Sequence, residues 1–528
     1  MGRPDRLVIA PQDIRTADPT RAEDIYAGYF AFGGRIVNTQ GRSPFDIHPP
    51  SQAWEQALAG FGWLRHLRAA DTALARVNAR ALVDDYLSAR ARFVSPVDKD
   101  PATIARRILS WLSQSPIVLE GADALFYRRF MRGLARDAAR LQQALAGATG
   151  VARLTGAIAL AEYSLCANVG ARAQARATAQ LSAEIGAQIL PDGGHVGRNP
   201  QTLVDLLLDL LPLRQAYAAR STAAPPALIG AIDRMLPMVR LLRHGDGSLG
   251  LFNGMGVTAP DRVATVLAYD DTRGQPLVNA PQAGYQRLQA GDAVVILDAG
   301  PPPPPIHSGE AHAGCLSMEF SAGAERVIVN CGAPTPARAA VRLAARQTAA
   351  HSTLVLDDTS SCHFAPEAGI ERIAAGQILA GPRRVTATRT DGREGSLIEL
   401  SHDGYARRFG LVHERRVALD ATGKRLVGED RIAAARDADA LFARAFALRF
   451  HLHPGVRVTS GESQTELRLE TPSGRAFLFE AGGRPAEIEE SVFFASPDGA
   501  RASQQIVVRG SAEENAETLW SITETGRA

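Results

Sequence analysis

Polar side chains occupy the loop 190–200, which reads LPDGGHVGRNP and joins two predicted helices. His195 and Arg198 in this loop could contact an anionic ligand, and Asn199 beside them is a third predicted substrate contact. The glycines would let a ligand approach the backbone closely. The alternative is a helix-capping turn with a surface histidine, and spacing alone leaves both interpretations open.

Two further polar segments precede predicted strands in the second half of the chain. Residues 307–312 read HSGEAH, so His307, Glu310 and His312 could supply a base, an acid or metal ligands beside a rigid sheet. Residues 346–353 read RQTAAHST and place His351 at the start of another strand. Imidazoles at two strand starts can converge on one site, although structural histidines would give the same pattern.

Lysine chemistry is nearly absent from the chain. Lys99 and Lys424 are the only lysines among 58 basic residues in 528, and neither lies in a P-loop, which excludes a P-loop nucleotide enzyme. Neither has surroundings typical of a Schiff-base or pyridoxal enzyme. The net charge of +2, with both signs interspersed, argues against a nucleic-acid-binding protein. The remaining candidates for chemistry are His, Arg, Tyr and carboxylate side chains.

The sequence carries no visible signal for membrane insertion or export. No stretch reaches the roughly 18 uncharged apolar residues that a membrane span requires, and the amino-terminal residues lack the apolar core of a secretory signal. The four cysteines form no Cys-x-x-Cys motif, which favours reduced, buried thiols. From the sequence alone we therefore expect a cytoplasmic protein.

The hydrophobic period of the chain changes near residues 260–280. Before that point apolar residues recur at helical spacing, and after residue 280 they alternate with period two between Gly-rich turns. The pattern predicts antiparallel helices followed by a β-sandwich-like half. We place an amino-terminal extension at 1–50, a helical domain at 51–275 and a sandwich domain at 276–528.

Four segments resemble the heparinase II/III family. They are LPDGGHVGRNP at 190–200, HAGCLSMEFSAG at 312–323, VIVNCG at 327–332 and RQTAAHST at 346–353. With the change from helices to strands, the resemblance covers roughly residues 60 to 480. It implies an α+β multidomain fold in which an incomplete α/α toroid precedes an antiparallel β-sandwich. Known members of the family are polysaccharide lyases that act on uronic-acid glycans.

Lyase chemistry defines which residues such a site would need. β-Elimination neutralises the uronate carboxylate, removes the C5 proton and protonates the leaving oxygen. The resemblance implies an Asn or His near the carboxylate and a Tyr and a His as base and acid. Our hypothesis for this chain is that Arg198 neutralises the carboxylate and that His195 or Tyr163 removes or delivers the proton. A tyrosine, whose ordinary pKa is about 10, serves as a base only where neighbouring cations lower that value.

Several positions depart from the family pattern. Tyr163 stands where the family carries an Asn-His pair, and Thr202 stands where it carries its catalytic tyrosine. Glu310 replaces the first histidine of a His-x-His motif, which makes it a third candidate for acid–base catalysis. This branch therefore either uses Tyr163, His195 and Glu310 differently or no longer cleaves.

Three more residues are predicted to bind substrate. Tyr285 matches a Gly-Tyr element of the family, Tyr405 could face the cleft from the sandwich, and Arg346 supplies a cation at the start of the RQTAAHST segment. The alternative for both tyrosines is an aromatic at the rim of a strand.

The resemblance also implies a possible structural zinc site. The positions that hold zinc in some family members read His312, Asn330 and His351 here, and the neighbouring Cys331 could replace the poor ligand Asn330 as a soft thiolate. The predicted ligands are therefore His312, Cys331 and His351. The alternative is a hydrogen-bonded histidine pair that holds two strands together.

The leading hypothesis is a polysaccharide lyase that binds an acidic polysaccharide or oligosaccharide in a cleft between toroid and sandwich. His312 and His351 would shape the site. One alternative is a non-catalytic glycan-binding or envelope-associated protein that keeps the fold. Another is a hydrolase with Glu310 as its acid, which would need a second carboxylate within about 5–10 Å. The family implies the periplasm or cell envelope, against the cytoplasmic expectation from the missing signal.

Overall fold

The computed structural model describes residues 6–92, 94–270, 274–335, 337–366, 376–435, 444–512 and 516–527. The chain forms two compact units, each described separately below. The helical unit comprises Met1–Ile189, Asp205–Asp233 and Ala264–Asp270. The sandwich unit comprises Leu190–Val204, Arg234–Val263 and Asp271–Ala528, so two segments from the helical half of the sequence belong with the sheets.

Helices dominate the described residues before position 270. In chain order, the helices are α1 (Thr20–Tyr26), α2 (Gln52–Ala59), α3 (Leu64–Ala70), α4 (Ala73–Arg92), α5 (Pro101–Ser113), α6 (Ser115–Leu119), α7 (Ala124–Ala144), α8 (Gly150–Cys166), α9 (Ala171–Gln188), α10 (Pro200–Ala219), α11 (Pro226–Leu241), α12 (Pro260–Ala268), α13 (Ala339–Arg346) and α14 (Ala406–Phe409).

Local sequence signals fix where several helices begin. The Asp100 side chain accepts a hydrogen bond from the backbone N–H of Thr103 at the start of α5, and Pro101 occupies the first turn. Asp123 caps α7 in the same way through the N–H of Phe126. These caps satisfy backbone donors that have no partner within the helix.

Pro212 interrupts the hydrogen bonding of α10. It has no N–H to donate to the carbonyl of Leu208, and the guanidinium of Arg15 donates to that carbonyl at 3.3 Å instead. Arg15 also pairs with Asp209 at 2.9 Å. The proline thus creates an acceptor that ties the residues around Arg15 to α10.

Strands dominate the described residues after position 278. In chain order, the strands are β1 (Tyr29–Phe32), β2 (Arg35–Asn38), β3 (Asn279–Ala280), β4 (Tyr285–Ala290), β5 (Ala293–Asp298), β6 (Met318–Ala322), β7 (Glu325–Val329), β8 (Leu354–Leu356), β9 (His363–Phe364), β10 (Ile378–Ala380), β11 (Val385–Gly392), β12 (Gly395–His402), β13 (Leu411–Asp420), β14 (Arg425–Ala434), β15 (Ala445–Leu452), β16 (Arg457–Ser460), β17 (Glu466–Glu470), β18 (Arg475–Glu480), β19 (Ala486–Phe493), β20 (Arg501–Ser511) and β21 (Glu517–Arg527).

Two large antiparallel sheets build the sandwich unit. One has the strand order β11-β12-β13-β14-β21-β18-β17-β16, and the other has β19-β20-β15-β7-β6-β5-β4-β3, with β8 added against β15. The Phe450 ring from the second sheet packs at 5.0 Å from Trp520 and 5.2 Å from Phe479, both from the first sheet. The core therefore lies between the two sheets. The predicted fold class, helices followed by an antiparallel β-sandwich, is confirmed.

Two further sequence predictions concern the cysteines and the membrane. All four cysteines are buried free thiols, as expected. Within the described part of the chain, no helix is long and apolar enough to cross a membrane.

Candidate functional site

The Arg198 side chain is buried at the base of the loop 190–200. Its residue adopts a left-handed backbone conformation with φ of 62°. A guanidinium has five N–H donors, and five oxygens lie within hydrogen-bond distance of them. They are the carbonyls of Ala283 (2.7 Å), Gly284 (2.9 Å), Gly300 (3.0 Å) and Pro301 (2.8 Å) and the carboxylate of Asp298 (2.5 Å). Arg198 therefore has no donor left for the uronate carboxylate that it was predicted to bind.

Tyr285 belongs to the same buried network. Its hydroxyl donates to the backbone carbonyl of Arg198 at 2.6 Å and accepts from the Asn253 amide at 2.9 Å. Burial raises the pKa of Tyr285 well above its ordinary range, although Arg198 opposes the shift. Tyr285 is therefore a structural residue rather than the predicted contact on an open surface.

Asn253 is the central residue of this network that sequence reasoning missed. Its amide N–H groups donate to Tyr285 and to the Asp298 carboxylate at 3.1 Å, and its carbonyl oxygen accepts from the backbone N–H of His312 at 3.3 Å. The available signal was an Asn-Gly pair inside the apolar stretch 251–256, where φ of 48° suits asparagine. Asn253 joins the segments that carry Arg198 and His312.

The loop 190–200 does contact Glu310, which was predicted to belong to the same site. The Asn199 amide donates to the Glu310 carboxylate at 3.0 Å, while its carbonyl oxygen accepts from the N–H of Gln201 at the start of α10. The rings of His195 and His307 lie edge to face with centroids 6.3 Å apart. Because Glu310 is exposed and His307 is half-buried, this group is the accessible part of the predicted site.

His195 lies beneath that surface and is a weak base. Its Nδ1 accepts a hydrogen bond of 3.0 Å from the N–H of Gly197, which places the proton of the neutral ring on Nε2. Burial, with a smaller contribution from His307, lowers the pKa of His195 to about 3. A base of such low pKa is poorly matched to proton abstraction near neutral pH.

His312 and His351 form a hydrogen-bonded pair. His351 Nδ1 lies 2.8 Å from the carbonyl of Gln347 and must donate to it, so His351 Nε2 accepts from His312 Nδ1 at 3.0 Å. Burial lowers the pKa of His351 to about 4, and burial together with the neighbouring His351 lowers the pKa of His312 well below its ordinary value. Both rings are therefore neutral at physiological pH.

The three predicted metal ligands do not converge on one point. The Cys331 sulfur contacts His451 Nδ1 at 3.5 Å and the Ser491 hydroxyl at 3.9 Å, and burial raises the pKa of its thiol to about 12. Among the residues that the structure describes, no group of three or more His, Cys, Asp or Glu side chains could hold a metal ion. The side chains present do not fit the zinc site that the resemblance implies.

Tyr163 is fully buried in α8 of the helical unit. Its hydroxyl has no hydrogen-bond partner within the described chain. Burial raises the pKa of Tyr163 to about 12, and no cation counters the shift. The environment that a tyrosine base requires, with cations that lower its pKa, does not surround this side chain.

The last two predicted substrate contacts are also engaged inside the sandwich unit. Arg346 donates to the carbonyls of Ala311 at 2.8 Å and Ser308 at 2.9 Å, which fixes the loop that carries Glu310. The Tyr405 hydroxyl donates to the carbonyl of Leu354 at 3.1 Å, and the ring is 1% exposed. Neither side chain presents its polar atoms to a ligand.

A second buried polar cluster was not predicted. His244 Nε2 lies 2.9 Å from the Glu319 carboxylate, and His244 Nδ1 lies 2.9 Å from the Ser321 hydroxyl. Hydrolases combine the same three residue types, but their serine bonds the histidine Nε2 and their carboxylate bonds Nδ1, which is the reverse of the arrangement at His244. All three side chains are fully buried, so the cluster stabilises the sandwich and does not form a reaction site.

Comparison with known proteins agrees with the fold described above. Residues 272–521 match the family described as Heparinase II/III-like, C-terminal. The chain belongs to the heparinase II/III family. It is 31% identical to FtsZ-localized protein C of Caulobacter vibrioides over 530 residues, which cover 99% of this chain and 91% of that protein.

Solved lyase structures share the fold at low sequence identity. Heparan sulfate lyase HepC from Pedobacter heparinus matches with a TM-score of 0.66 and 15% identity over 98% of this chain and 84% of that one. Heparinase III matches with a TM-score of 0.71 and 14% identity over 94% of this chain and 80% of that one. At such identities the likeness concerns the fold alone.

Proposed function

We propose that this chain is a non-catalytic member of the heparinase II/III family that localises with FtsZ as a binding protein. The observation that carries the proposal is the engagement of all five Arg198 donors by protein oxygens. A uronate carboxylate could bind this guanidinium only by displacing the carbonyls and the carboxylate that hold it.

The proton-transfer groups support the same conclusion. Elimination requires one group that removes the C5 proton and another that protonates the leaving oxygen. Burial raises the pKa of Tyr163 to about 12, and it lowers the pKa of His195 to about 3. Both shifts favour the neutral side chain and oppose acid–base exchange near pH 7. Catalysis was the leading hypothesis from the sequence, and the geometry favours its non-catalytic alternative.

The partner in this proposal comes from the similarity to FtsZ-localized protein C. That protein aligns with 99% of this chain, whereas the lyase structures share only the fold. Similarity along the whole chain favours a shared cellular role over the chemistry of distant relatives.

A lyase assay tests the absence of catalysis. The purified full chain is incubated with heparan sulfate, alginate and other uronate polymers, and the ultraviolet absorbance of a new C4–C5 double bond is followed. We expect no absorbance above a no-protein control, with heparinase III as the positive control. The proposal would be overturned if the native chain produced absorbance and the folded variant His195→Ala did not.

Co-sedimentation tests the proposed association. The full chain is centrifuged with purified FtsZ polymerised by GTP and with unpolymerised FtsZ under GDP. We expect the chain in the polymer pellet only. Equal amounts in both pellets, or none with the polymer, would contradict localisation through FtsZ.

Binding of an acidic glycan without cleavage is a second candidate. The surface around Glu310 favours it, because the Glu310 carboxylate is exposed and the His307 imidazole is half-buried, while the buried Asn199 amide holds Glu310 in place. The Glu310 carboxylate would repel uronate, so Glu310→Gln should strengthen binding of a heparan sulfate oligosaccharide in calorimetry. Unchanged affinity in that variant would remove this group as the site.

A further inference from the structure

A large groove lies in the sandwich unit between the turn 357–364, the segment 380–383 and the segment 403–410 around α14. Its volume is about 1520 Å³. None of its lining residues belongs to the Arg198 network or to the exposed group around Glu310.

Three arginines line the groove. Arg383, Arg407 and Arg408 are exposed there and form no ion pair with any described residue. The acidic residues Asp357 and Asp403 also line it, but both are engaged. Three free guanidinium groups on one concave surface favour an anionic ligand.

Asp403 and Asp357 each have identified partners. Asp403 accepts hydrogen bonds from the backbone N–H groups of Arg383 at 2.7 Å and Arg384 at 3.0 Å. Asp357 pairs with Arg444 at 3.4 Å. Asp358 and Asp403 keep their negative charge, because neither has a cationic partner among the described residues, so the three guanidinium groups exceed these two carboxylates by one.

Apolar side chains accompany the arginines. Leu343 on α13 lines the groove while 40% exposed, and Phe364 and Phe409 line it as well. Guanidinium groups lie over both rings: Arg346 at 4.6 Å from Phe364, and Arg408 at 5.1 Å from Phe409. Sugar rings stack on open aromatic faces, so this arrangement favours a ligand with apolar side chains over a glycan.

The strands at the groove have unpaired edges. Among the described residues β9 and β10 pair only with each other. The Ile378 N–H of β10 already donates to the Ser308 hydroxyl at 2.8 Å, so β9 offers the better edge for an added strand. His363 and Phe364 of β9 and Ala380 of β10 line the groove. An extended peptide can add to such an edge through backbone hydrogen bonds while its side chains enter neighbouring pockets.

We propose that this groove binds an acidic, partly apolar peptide segment of a partner protein. The carboxylates of the segment pair with Arg383, Arg407 and Arg408, and its apolar side chains pack near Leu343. This inference goes beyond the proposed function, because it requires neither the absence of catalysis nor association with FtsZ.

Fluorescence anisotropy tests the proposal with a defined probe. The probe is a fluorescein-labelled peptide of alternating Glu and Leu about ten residues long, which spans about 33 Å when extended. We expect the full chain to bind it and the double variant Arg407→Glu/Arg408→Glu to bind it at least about tenfold more weakly. The matched control is Arg425→Glu/Arg468→Glu, which reverses two exposed charges outside the groove. An equal loss in the control, or no binding by the native chain, would overturn the proposal.

A second variant distinguishes a peptide from a glycan. Leu343→Ser removes an exposed apolar contact without altering charge, so it should weaken peptide binding and leave binding of a heparin-derived oligosaccharide unchanged. An oligosaccharide that binds this groove while the peptide does not would replace the peptide with an anionic glycan. Peptide affinity unchanged by Leu343→Ser would show that charge alone is responsible and would overturn the peptide assignment.

Discussion

The Tyr285 hydroxyl donates a hydrogen bond of 2.6 Å to the backbone carbonyl of Arg198, whose guanidinium lies 4.9 Å from the centre of the Tyr285 ring. The two residues therefore hold each other through both main chain and side chain. The phenol is engaged and cannot act as a free base, and the guanidinium is engaged and cannot bind a carboxylate. Both residues were predicted to bind substrate. In the structure they instead fix the loop 190–200 to the sheets of the same unit.

Arg198→Ala should destabilise the chain strongly. The substitution leaves the buried Asp298 carboxylate without its cation and several carbonyls without a donor, which we expect to cost about 3–5 kcal/mol. Urea unfolding followed by circular dichroism measures the change. Arg468→Ala, at an exposed position on β17, is the control and should change stability by less than about 0.5 kcal/mol. Comparable values for both variants would contradict a structural role for Arg198.

Glu162→Gln should stabilise the chain at neutral and alkaline pH. Burial, reinforced by Asp209 and Asp13, raises the pKa of Glu162 well above its ordinary value. A carboxyl whose pKa is higher in the folded state than in the unfolded state loses stability as pH rises above the unfolded value of about 4.3. Glutamine keeps the shape of the protonated acid and cannot ionise.

Thermal unfolding between pH 4 and pH 8 measures this effect as the difference between variant and native chain. That difference should be near zero at pH 4 and should grow in favour of the variant toward pH 8. Glu394→Gln, at an exposed turn, should show no such trend. A difference independent of pH would show that the pKa of Glu162 is the same in the folded and unfolded chain, which would contradict the prediction.

Removal of metal should leave the chain unchanged. His312 and His351 bond each other through a proton, and Cys331 contacts His451 instead of this pair, so the three predicted ligands do not surround one ion. We expect the same melting temperature with and without a chelator and no zinc in native mass spectrometry. The expectation would be wrong if the native chain contained one zinc ion per molecule and the variant His351→Ala contained none.

The periodic parts of the structure were predictable, whereas the roles of its polar residues were not. The apolar run 293–298 became β5 as predicted, although all six of its residues are buried and do not alternate between two faces. The helical stretch that begins at residue 203 lies in α10, because helical spacing is a local property. The role of Arg198 depends on carbonyls of residues 283, 284, 300 and 301, about 100 positions away. Spacing along the chain cannot show that five acceptors converge on one guanidinium.

Asn253 is a second residue whose role could not be predicted from the sequence. It contacts Tyr285, Asp298 and the backbone of His312, yet no family motif or period singled it out. The Asn-Gly pair was its only local signal in the sequence, and such pairs are common in ordinary turns. Residues that join distant loops become evident only once those loops are placed in space.

Gly254→Ala should disrupt the contact between Asn199 and Glu310. Gly254 has φ of +94°, and a Cβ built there lies 2.8 Å from the Glu310 carbonyl and 3.0 Å from the Asn199 amide nitrogen. Gly474→Ala separates backbone strain from this clash, because Gly474 has φ of +81° and no atom within 4 Å of its Cβ position. We expect about 1–2 kcal/mol of destabilisation from the positive φ alone at Gly474. Gly254→Ala should exceed that by about 1–3 kcal/mol, since overpacking adds to strain. Denaturant unfolding of both variants measures the difference, and equal losses would show that the loop around Glu310 yields freely and that its contact with Asn199 is not held rigidly.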